Sequence, residues 1–285
     1  MKLKGFEKLQ QKLPGYSGKR FVIIPLIGFV SFISSFFILL LSYWMPTLLP
    51  DNELLGLAEP ILPIAGQVII LTIGFFLIAR VWNRRRLLLK KHKELAYERG
   101  VISGFIGVPL VLATAFHSLF PIAFSWEPIN PTTAQMFFSP FRSNLILSII
   151  LLLIGSILVL IGLLTFRRAI LTFGIDYMAV IYVYYPEESE LQDHQIYSIL
   201  RHPTYFAIIL TAVGGWLVNF SVYSFIAMLL VILGILIHLR FVEEKELLER
   251  FESFREYRQQ VPAFIIKPSQ IVPFFRFILG QENAQ

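Results

Sequence analysis

The chain has 285 residues, of which 56% are hydrophobic and 15% are charged. Its mean hydropathy of +0.68 excludes a soluble domain of ordinary composition. The formal net charge of +6 is explained by membrane topology and not by nucleic-acid binding, and the absence of cysteine excludes disulfides, thiolate nucleophiles and cysteine-ligated metals.

Apolar stretches of membrane-spanning length predict the elements in chain order. A helix needs roughly 20 apolar residues to cross the hydrocarbon layer. Four stretches have this length: 21–43, 61–82, 101–124 and 143–166. A fifth tract, 204–239, is long enough for a hairpin of two shorter helices, with its turn at 219–221 or, as a second candidate, at Gly214-Gly215. The sequence therefore predicts an all-α integral membrane protein of about six transmembrane helices, with a C-terminal helical hairpin and a cytosolic amphipathic helix.

The positions of the cations predict the orientation. Lys and Arg collect in the cytoplasmic loops of membrane proteins. If residue 1 lies inside, 24 of the 25 Lys and Arg residues fall on the cytoplasmic side, and Arg142 falls outside. We therefore expect a multi-pass protein with both termini in the cytoplasm, and some of its cations in contact with anionic membrane lipids. The first apolar run lacks a cleavage pattern and is interpreted as a retained anchor.

The character of the sequence divides the chain into three parts. Residues 1–100 form an apolar hairpin with a basic connector, and residues 101–168 form a second hairpin. Polar content rises from 169 onward, so residues 169–285 are predicted to carry the chemistry. Five scattered histidines lack the spacing of metal ligands. His117 and His238 are interpreted first as packing residues.

Two groups of polar and aromatic residues flank the last apolar tract. Tyr197, Arg201, His202, Pro203 and Tyr205 precede it, and Arg240, Glu243, Glu244 and Tyr257 follow it. A hairpin brings both groups to the same membrane surface. Proline suits the first turn of a helix, and a helix start attracts carboxylates and phosphates. The pattern predicts a site where a water-soluble ligand meets the lipid, although salt bridges on a surface helix would also explain the charges after 239.

These residues resemble the C-terminal half of the isoprenylcysteine carboxyl methyltransferases. That family is part of a broader set of membrane methyltransferases that includes the phospholipid N-methyltransferases. The resemblance covers about residues 160–265. Its elements are Leu191, Tyr197, Arg201-His202-Pro203, Tyr205, the apolar hairpin, Arg240, Glu243-Glu244, Leu247, Phe251, Tyr257 and Val261-Pro262. The chain departs from residues usual in the family at Ser189, Gln195 and Ala207.

The resemblance implies a methyltransferase that uses S-adenosyl-L-methionine, with an isoprenylcysteine carboxyl group as the acceptor. It implies a cofactor pocket formed by Leu191, Tyr197, Arg201, His202, Pro203, Tyr205, Glu244 and Tyr257. By their chemistry, Arg201 suits the carboxylate of the cofactor and a glutamate of the 243/244 pair suits its ammonium. A tyrosine ring near the sulfonium would contribute roughly 0.5 to 2 kcal/mol.

The predicted catalytic residues are Arg240, Glu243 and Glu244. In carboxyl methylation Arg240 would hold the acceptor carboxylate, while in methylation of a phospholipid amine Glu243 or Glu244 would remove a proton. Replacing Arg201 or Glu244 by alanine is expected to abolish methyl transfer in a protein that still folds. Two non-methyltransferase alternatives remain: a lipid-binding or transport protein without catalysis, and a reductase that resembles the membrane sterol reductases and uses a nicotinamide nucleotide.

Overall fold

The computed structural model describes residues 4–49, 51–58, 61–117, 119 and 143–281. The regular secondary structure of these residues consists of helices and short helical turns, with no β-strand. The predicted second outer loop, 125–142, lies outside the described residues. The longer helices, in chain order, are α1 (Phe6–Gln11), α2 (Ile23–Leu48), α3 (Glu53–Ala58), α4 (Leu62–Asn83), α5 (Arg85–His92), α6 (Ala96–His117), α7 (Leu145–Phe173), α8 (Ile175–Met178), α9 (Pro203–Asn219), α10 (Val222–His238), α11 (Glu244–Arg250), α12 (Phe254–Gln260) and α13 (Ile271–Ile278).

Five helical segments of the described chain are long and apolar enough to cross a membrane. They are Gly18–Met45, Leu62–Asn83, Arg85–His117, Leu145–Phe173 and Val222–Arg250, and the shorter apolar helix Pro203–Asn219 lies beside them. The prediction of an all-α integral membrane protein with about six spans is therefore confirmed.

The C-terminal hairpin turns at the predicted residues 219–221. Helix α9 ends at Asn219, and Phe220 follows with a left-handed φ of 41°. Ser221 then caps α10: its hydroxyl accepts a hydrogen bond from the Ser224 amide at 3.2 Å, and the Ser224 hydroxyl accepts one from the Ser221 amide at 3.2 Å. This reciprocal capping box satisfies two amides that a helix start leaves open. Gly214-Gly215, the second candidate, lies within α9.

Helix α7 is longer than the predicted stretch 143–166. Its 29 residues correspond to a length of about 43 Å, which exceeds the hydrocarbon thickness, so its last turns extend past the apolar layer. It ends at Gly174, which has a φ of 99°, a conformation that glycine adopts without steric cost. The third span likewise begins at Ala96 and not at 101. The boundaries between the three predicted parts of the chain, at residues 100 and 168, thus fall within helices. The charged residues at these boundaries do not interrupt the helical backbone.

The membrane helices pack in two groups, α2 with α4 and α6, and α7 with α9, while α10 contacts α4 and α9. Below them the chain from 175 to 200 packs under the helix ends. Ile196 and Leu200 are buried there together with Phe274 and Phe277 of α13. The predicted amphipathic helix is divided into the short helices α11, α12 and α13, because the backbone becomes extended at Phe251 and at Val261.

Candidate active site

A turn of π-helix, Leu239–Glu243, joins α10 to α11. A π turn carries about one residue more than an α turn, so it rotates the following side chains by about 100° around the axis. At its end, Glu243 and Glu244 lie against the start of α9, whereas Arg240, the second residue of the turn, is exposed. Such turns often occur at functional sites. No sequence pattern predicts this π turn, because the chain passes from the apolar helix α10 into it without a helix-breaking residue.

Glu244 is the centre of a buried ion-pair cluster. Its Oε1 accepts a hydrogen bond from Arg201 Nη2 at 2.9 Å and lies 3.1 Å from His202 Nε2. Its Oε2 lies 3.4 Å from Arg258 Nε. The side chains of Glu244 and Arg201 are each only 9% exposed. The predicted meeting of Arg201 and Glu244, 43 residues apart in the chain, is therefore present in the structure.

Glu243 forms a second set of contacts beside the first. Its Oε2 accepts a hydrogen bond from the Tyr205 hydroxyl at 2.7 Å, and its Oε1 lies 3.5 Å from His202 Nδ1. His202 therefore lies between two carboxylates. Burial lowers the pKa of His202, but hydrogen bonds and charge attraction from Glu243 and Glu244 outweigh it, so the pKa is raised above the ordinary value.

Arg201 also fixes the chain that follows α12. Its Nη1 donates to the carbonyl oxygens of Arg258, at 2.8 Å, and Val261. Its backbone amide donates to the Pro262 carbonyl at 3.0 Å. The Tyr257 hydroxyl donates to the Tyr197 carbonyl at 2.6 Å. Three donors of Arg201 are therefore engaged by the protein, while its Nε is buried with no hydrogen-bond partner among the described residues.

A cavity of about 640 Å³ opens beside these clusters, within the range of small-molecule sites. Its lining is of two kinds. One part of the wall consists of charged and aromatic side chains that include Arg201, His202 and Glu243, and another part consists of apolar residues of the membrane helices, such as Phe105, Pro109 and Phe166. Polar and lipid-like groups could thus be bound in one continuous space.

The structure brings most of the predicted site residues to this cavity. Those on its wall are Leu191, Tyr197, Arg201, His202, Pro203, Tyr205, Glu243 and Tyr257. Glu244 lies behind the wall and holds Arg201 and His202. Arg240 is exposed and does not line the cavity; its guanidinium lies 6.0 Å from the Phe241 ring.

Two charged wall residues are absent from the sequence-based prediction. Glu246 and Arg250 line the cavity with side chains 6% and 11% exposed, and form an ion pair at 3.1 Å. They belong to the charged stretch after 239, for which salt bridges on a surface helix are the alternative explanation from the sequence. Their closeness in sequence to the Glu243-Glu244 pair indicates that they could belong to the site. The sequence does not predict the π turn, which sets the direction of their side chains.

The remaining histidines do not form a metal site. His117 is buried, with Nδ1 2.5 Å from the Thr114 carbonyl oxygen, in keeping with a packing role. His238 packs edge-on against Trp82, and its Nε2 lies 3.9 Å from Glu243. Over the part of the chain that the structure describes, no group of three or more His, Asp or Glu side chains could hold a metal ion.

Part of the chain matches a known protein family. The family of phospholipid methyltransferases matches residues 150–253, the stretch that contains α9, α10, Arg201, His202, Glu243 and Glu244. The fold and this match support a membrane methyltransferase.

Individual relatives extend the comparison. Two proteins named probable protein-S-isoprenylcysteine O-methyltransferase, from Oryza sativa subsp. indica and subsp. japonica, are each 27% identical over 172 residues. These matches cover 55% of this chain and 87% of each relative. No solved structure matches the chain significantly. The predicted resemblance to the isoprenylcysteine carboxyl methyltransferases is thereby confirmed.

Proposed function

We propose that this protein transfers a methyl group from S-adenosylmethionine to a lipid-associated acceptor at the cytosolic membrane face, with an isoprenylcysteine carboxyl group as the favoured acceptor. The observation that carries the proposal is the cavity, which joins the charged wall at Arg201 and Glu243 to an apolar space between membrane helices. A soluble methyl donor and a hydrophobic acceptor need such a space, because their reacting groups must meet while one of them keeps its tail out of water.

The charged part of the cavity wall fits the methyl donor. When bound, S-adenosylmethionine supplies an electrophilic methyl group, and it carries a carboxylate, an ammonium and an adenine. Arg201 retains an unpartnered buried Nε among the described residues, which suits an anion. The Glu243 carboxylate faces the cavity and suits an ammonium, and the rings of Tyr197 and Tyr257 supply aromatic surface.

The acceptor's tail would lie against the apolar part of the wall. Gly28, Phe105, Pro109 and Phe166 line it, and they come from α2, α6 and α7. In this proposal the first half of the chain therefore serves the site directly, since α2 and α6 lie within residues 4–117. The protein's contribution to the reaction is orientation and exclusion of water.

Carboxyl methylation requires no strong base, because a carboxyl group with a pKa near 4 is already ionised at pH 7. Methylation of a phospholipid amine is the second candidate, and the match to the phospholipid methyltransferases favours it. In that reaction Glu243 would accept the amine proton, and His202, 3.5 Å from Glu243, would share the charge. The two reactions differ in pH dependence: the amine reaction accelerates as the amine loses its proton, whereas the carboxyl reaction is flat above about pH 6.

The test begins with ligand binding to the purified protein. S-adenosylhomocysteine at a hundred times its dissociation constant should stabilise the protein by about 2.7 kcal/mol, measured as a shift in thermal unfolding, and NADPH should not. Radiolabelled methyl transfer to S-farnesylcysteine and to phosphatidylethanolamine then identifies the acceptor. Glu243→Gln is expected to lower transfer strongly, with Glu256→Gln, at an exposed position of α12, as the matched control. A thermal shift with NADPH alone would favour the reductase. No thermal shift with either ligand would favour a lipid-binding protein.

A further inference from the structure

We propose that Arg250 is a carboxylate-binding residue of the cavity and that Glu246 positions it. Arg250 is the last residue of α11 and lines the cavity together with Glu246. Its side chain is 11% exposed. A buried guanidinium needs a counter-charge or hydrogen-bond acceptors, because burial of an unpaired charge is unfavourable in free energy.

The hydrogen-bonding capacity of Arg250 is largely unused. Its Nη2 lies 3.1 Å from Glu246 Oε2. Its Nε and Nη1 are buried and have no hydrogen-bond partner within the described part of the chain. Arg201, in contrast, has donors engaged by Glu244 and by two carbonyl oxygens. Arg250 thus has more donors left for a ligand than Arg201.

Arg250 shares its carboxylate partner with a second arginine. Glu246 lies 3.6 Å from Arg85 as well as 3.1 Å from Arg250. Glu249 contacts Arg85 and Arg86, at 3.1 and 3.6 Å, and the Arg86 side chain is 83% exposed to solvent. A ligand carboxylate would give Arg250 a second counter-charge, and guanidinium is the side-chain group best suited to bind one.

The role of Glu246 follows from its two partners. By contacting both Arg85 from α5 and Arg250 from α11, it ties the basic connector of the first half of the chain to the cavity wall. The Phe251 ring, 4.7 Å from the guanidinium carbon of Arg250, restricts the side chain further. Arg250 is therefore held at the wall and does not extend into solvent.

The identity of the ligand rests on the proposed function, which offers two carboxylates. One belongs to the methyl donor and the other to an isoprenylcysteine acceptor. The exposed position of Arg240, the residue first expected to hold the acceptor, leaves Arg250 as a cation on the wall that could do so. Binding measurements separate the two sources, because each carboxylate can be presented without the other.

The experiment compares Arg250→Gln and Arg250→Lys with the matched control Arg255→Gln, an exposed arginine of α12. Equilibrium binding is measured in detergent with S-adenosylhomocysteine, with N-acetyl-S-farnesylcysteine and with the methyl ester of the latter. Loss of one charge-assisted hydrogen bond weakens binding by about 10- to 100-fold. We expect this loss in Arg250→Gln for the farnesylcysteine acid, with binding of the ester unchanged. The same loss for S-adenosylhomocysteine instead would assign the donor carboxylate to Arg250.

Arg250→Lys keeps the charge and tests the assignment if Arg250→Gln does not fold. Lysine lacks the planar set of donors, so binding of the same ligand should weaken severalfold. Unchanged binding of both carboxylate ligands in the variants that fold would overturn the assignment alone. Failure of the unsubstituted protein to bind any of the three ligands would overturn the proposed function, and the assignment with it.

Discussion

At the scale of single residues, Glu243 and Glu244 are neighbours with different environments. Glu244 contacts three basic side chains, Arg201, His202 and Arg258, at 2.9 to 3.4 Å. Removing one partner of such a buried cluster typically costs about 3 to 5 kcal/mol, because uncompensated charges remain. Loss of activity after replacement of Arg201 or Glu244 would thus combine structural and chemical effects. Glu243, on the cavity wall, is the more informative position for chemistry.

His202 makes the stability of the site depend on pH. Its pKa in the folded protein is raised above 6.5 by Glu243 and Glu244 despite burial. A raised pKa means that the stabilisation is fully present below about pH 6.5 and is lost as pH rises through the folded-state value. We expect the apparent unfolding temperature to fall as the pH rises from about 6.5 through the folded-state pKa of His202. The fall should be smaller in His202→Gln.

Thermal unfolding between pH 6 and pH 9 measures this effect. His194→Gln is the control, since the side chain of His194 is 55% exposed. An equal pH dependence in the His202 variant and the unsubstituted protein would show that protonation of His202 does not stabilise the fold.

At the scale of elements, the site depends on the close approach of α7 and α9. A Cβ atom at Gly214 would lie 2.6 Å from the Gly155 carbonyl oxygen, and one at Gly155 would lie 2.7 Å from the Gly214 carbonyl oxygen. Small residues let helix backbones approach in this way in membranes. Since α9 begins with Pro203 and follows directly on Arg201 and His202, its position against α7 sets where these side chains lie.

Gly214→Ala should therefore destabilise the protein by about 1 to 3 kcal/mol, as overpacking of a close contact does. Gly28→Ala on α2 is the matched control, because its Cβ would meet the nearest atom, Pro109 Cγ, at 3.7 Å, an ordinary contact. Denaturant titration in detergent compares the two. Equal midpoints for both variants would mean that α7 and α9 can separate without cost.

At the scale of the whole molecule, contacts far apart in sequence join the N-terminal segment to the chain below the helices. Lys12 Nζ lies 2.6 Å from a carboxylate oxygen of Glu188, and Lys8 Nζ lies 3.1 Å from the other. Phe6 and Leu9 of α1 line the cavity. The N-terminal segment and the C-terminal site therefore lie on the same side of the membrane helices, as the expected cytoplasmic position of both termini requires.

The orientation of the protein in the membrane can be measured by labelling single introduced cysteines, since the chain has no cysteine of its own. Single cysteines at Lys91 and Glu256 are expected to react with a membrane-impermeant maleimide only after permeabilisation, and one at Asp51 is expected to react in intact cells. All three positions are exposed. The unsubstituted protein should remain unlabelled. Labelling of Glu256→Cys in intact cells would contradict the cytoplasmic assignment.

The amino-acid sequence alone determined the membrane class, the helical hairpin with its turn at 219–221 and, through that hairpin, the placement of Arg201 and Glu244 at the same membrane surface. It could do so because apolar length, cation placement and turn residues act locally and are visible in any single chain. The tertiary structure decided which charged side chains reach the cavity. Arg240 is exposed near the start of the π turn, and ion pairs join Glu246 on the wall to Arg85 of α5 and to Arg250. Direction around a helix and proximity of distant charges arise only when the helices pack, so no local pattern could reveal them.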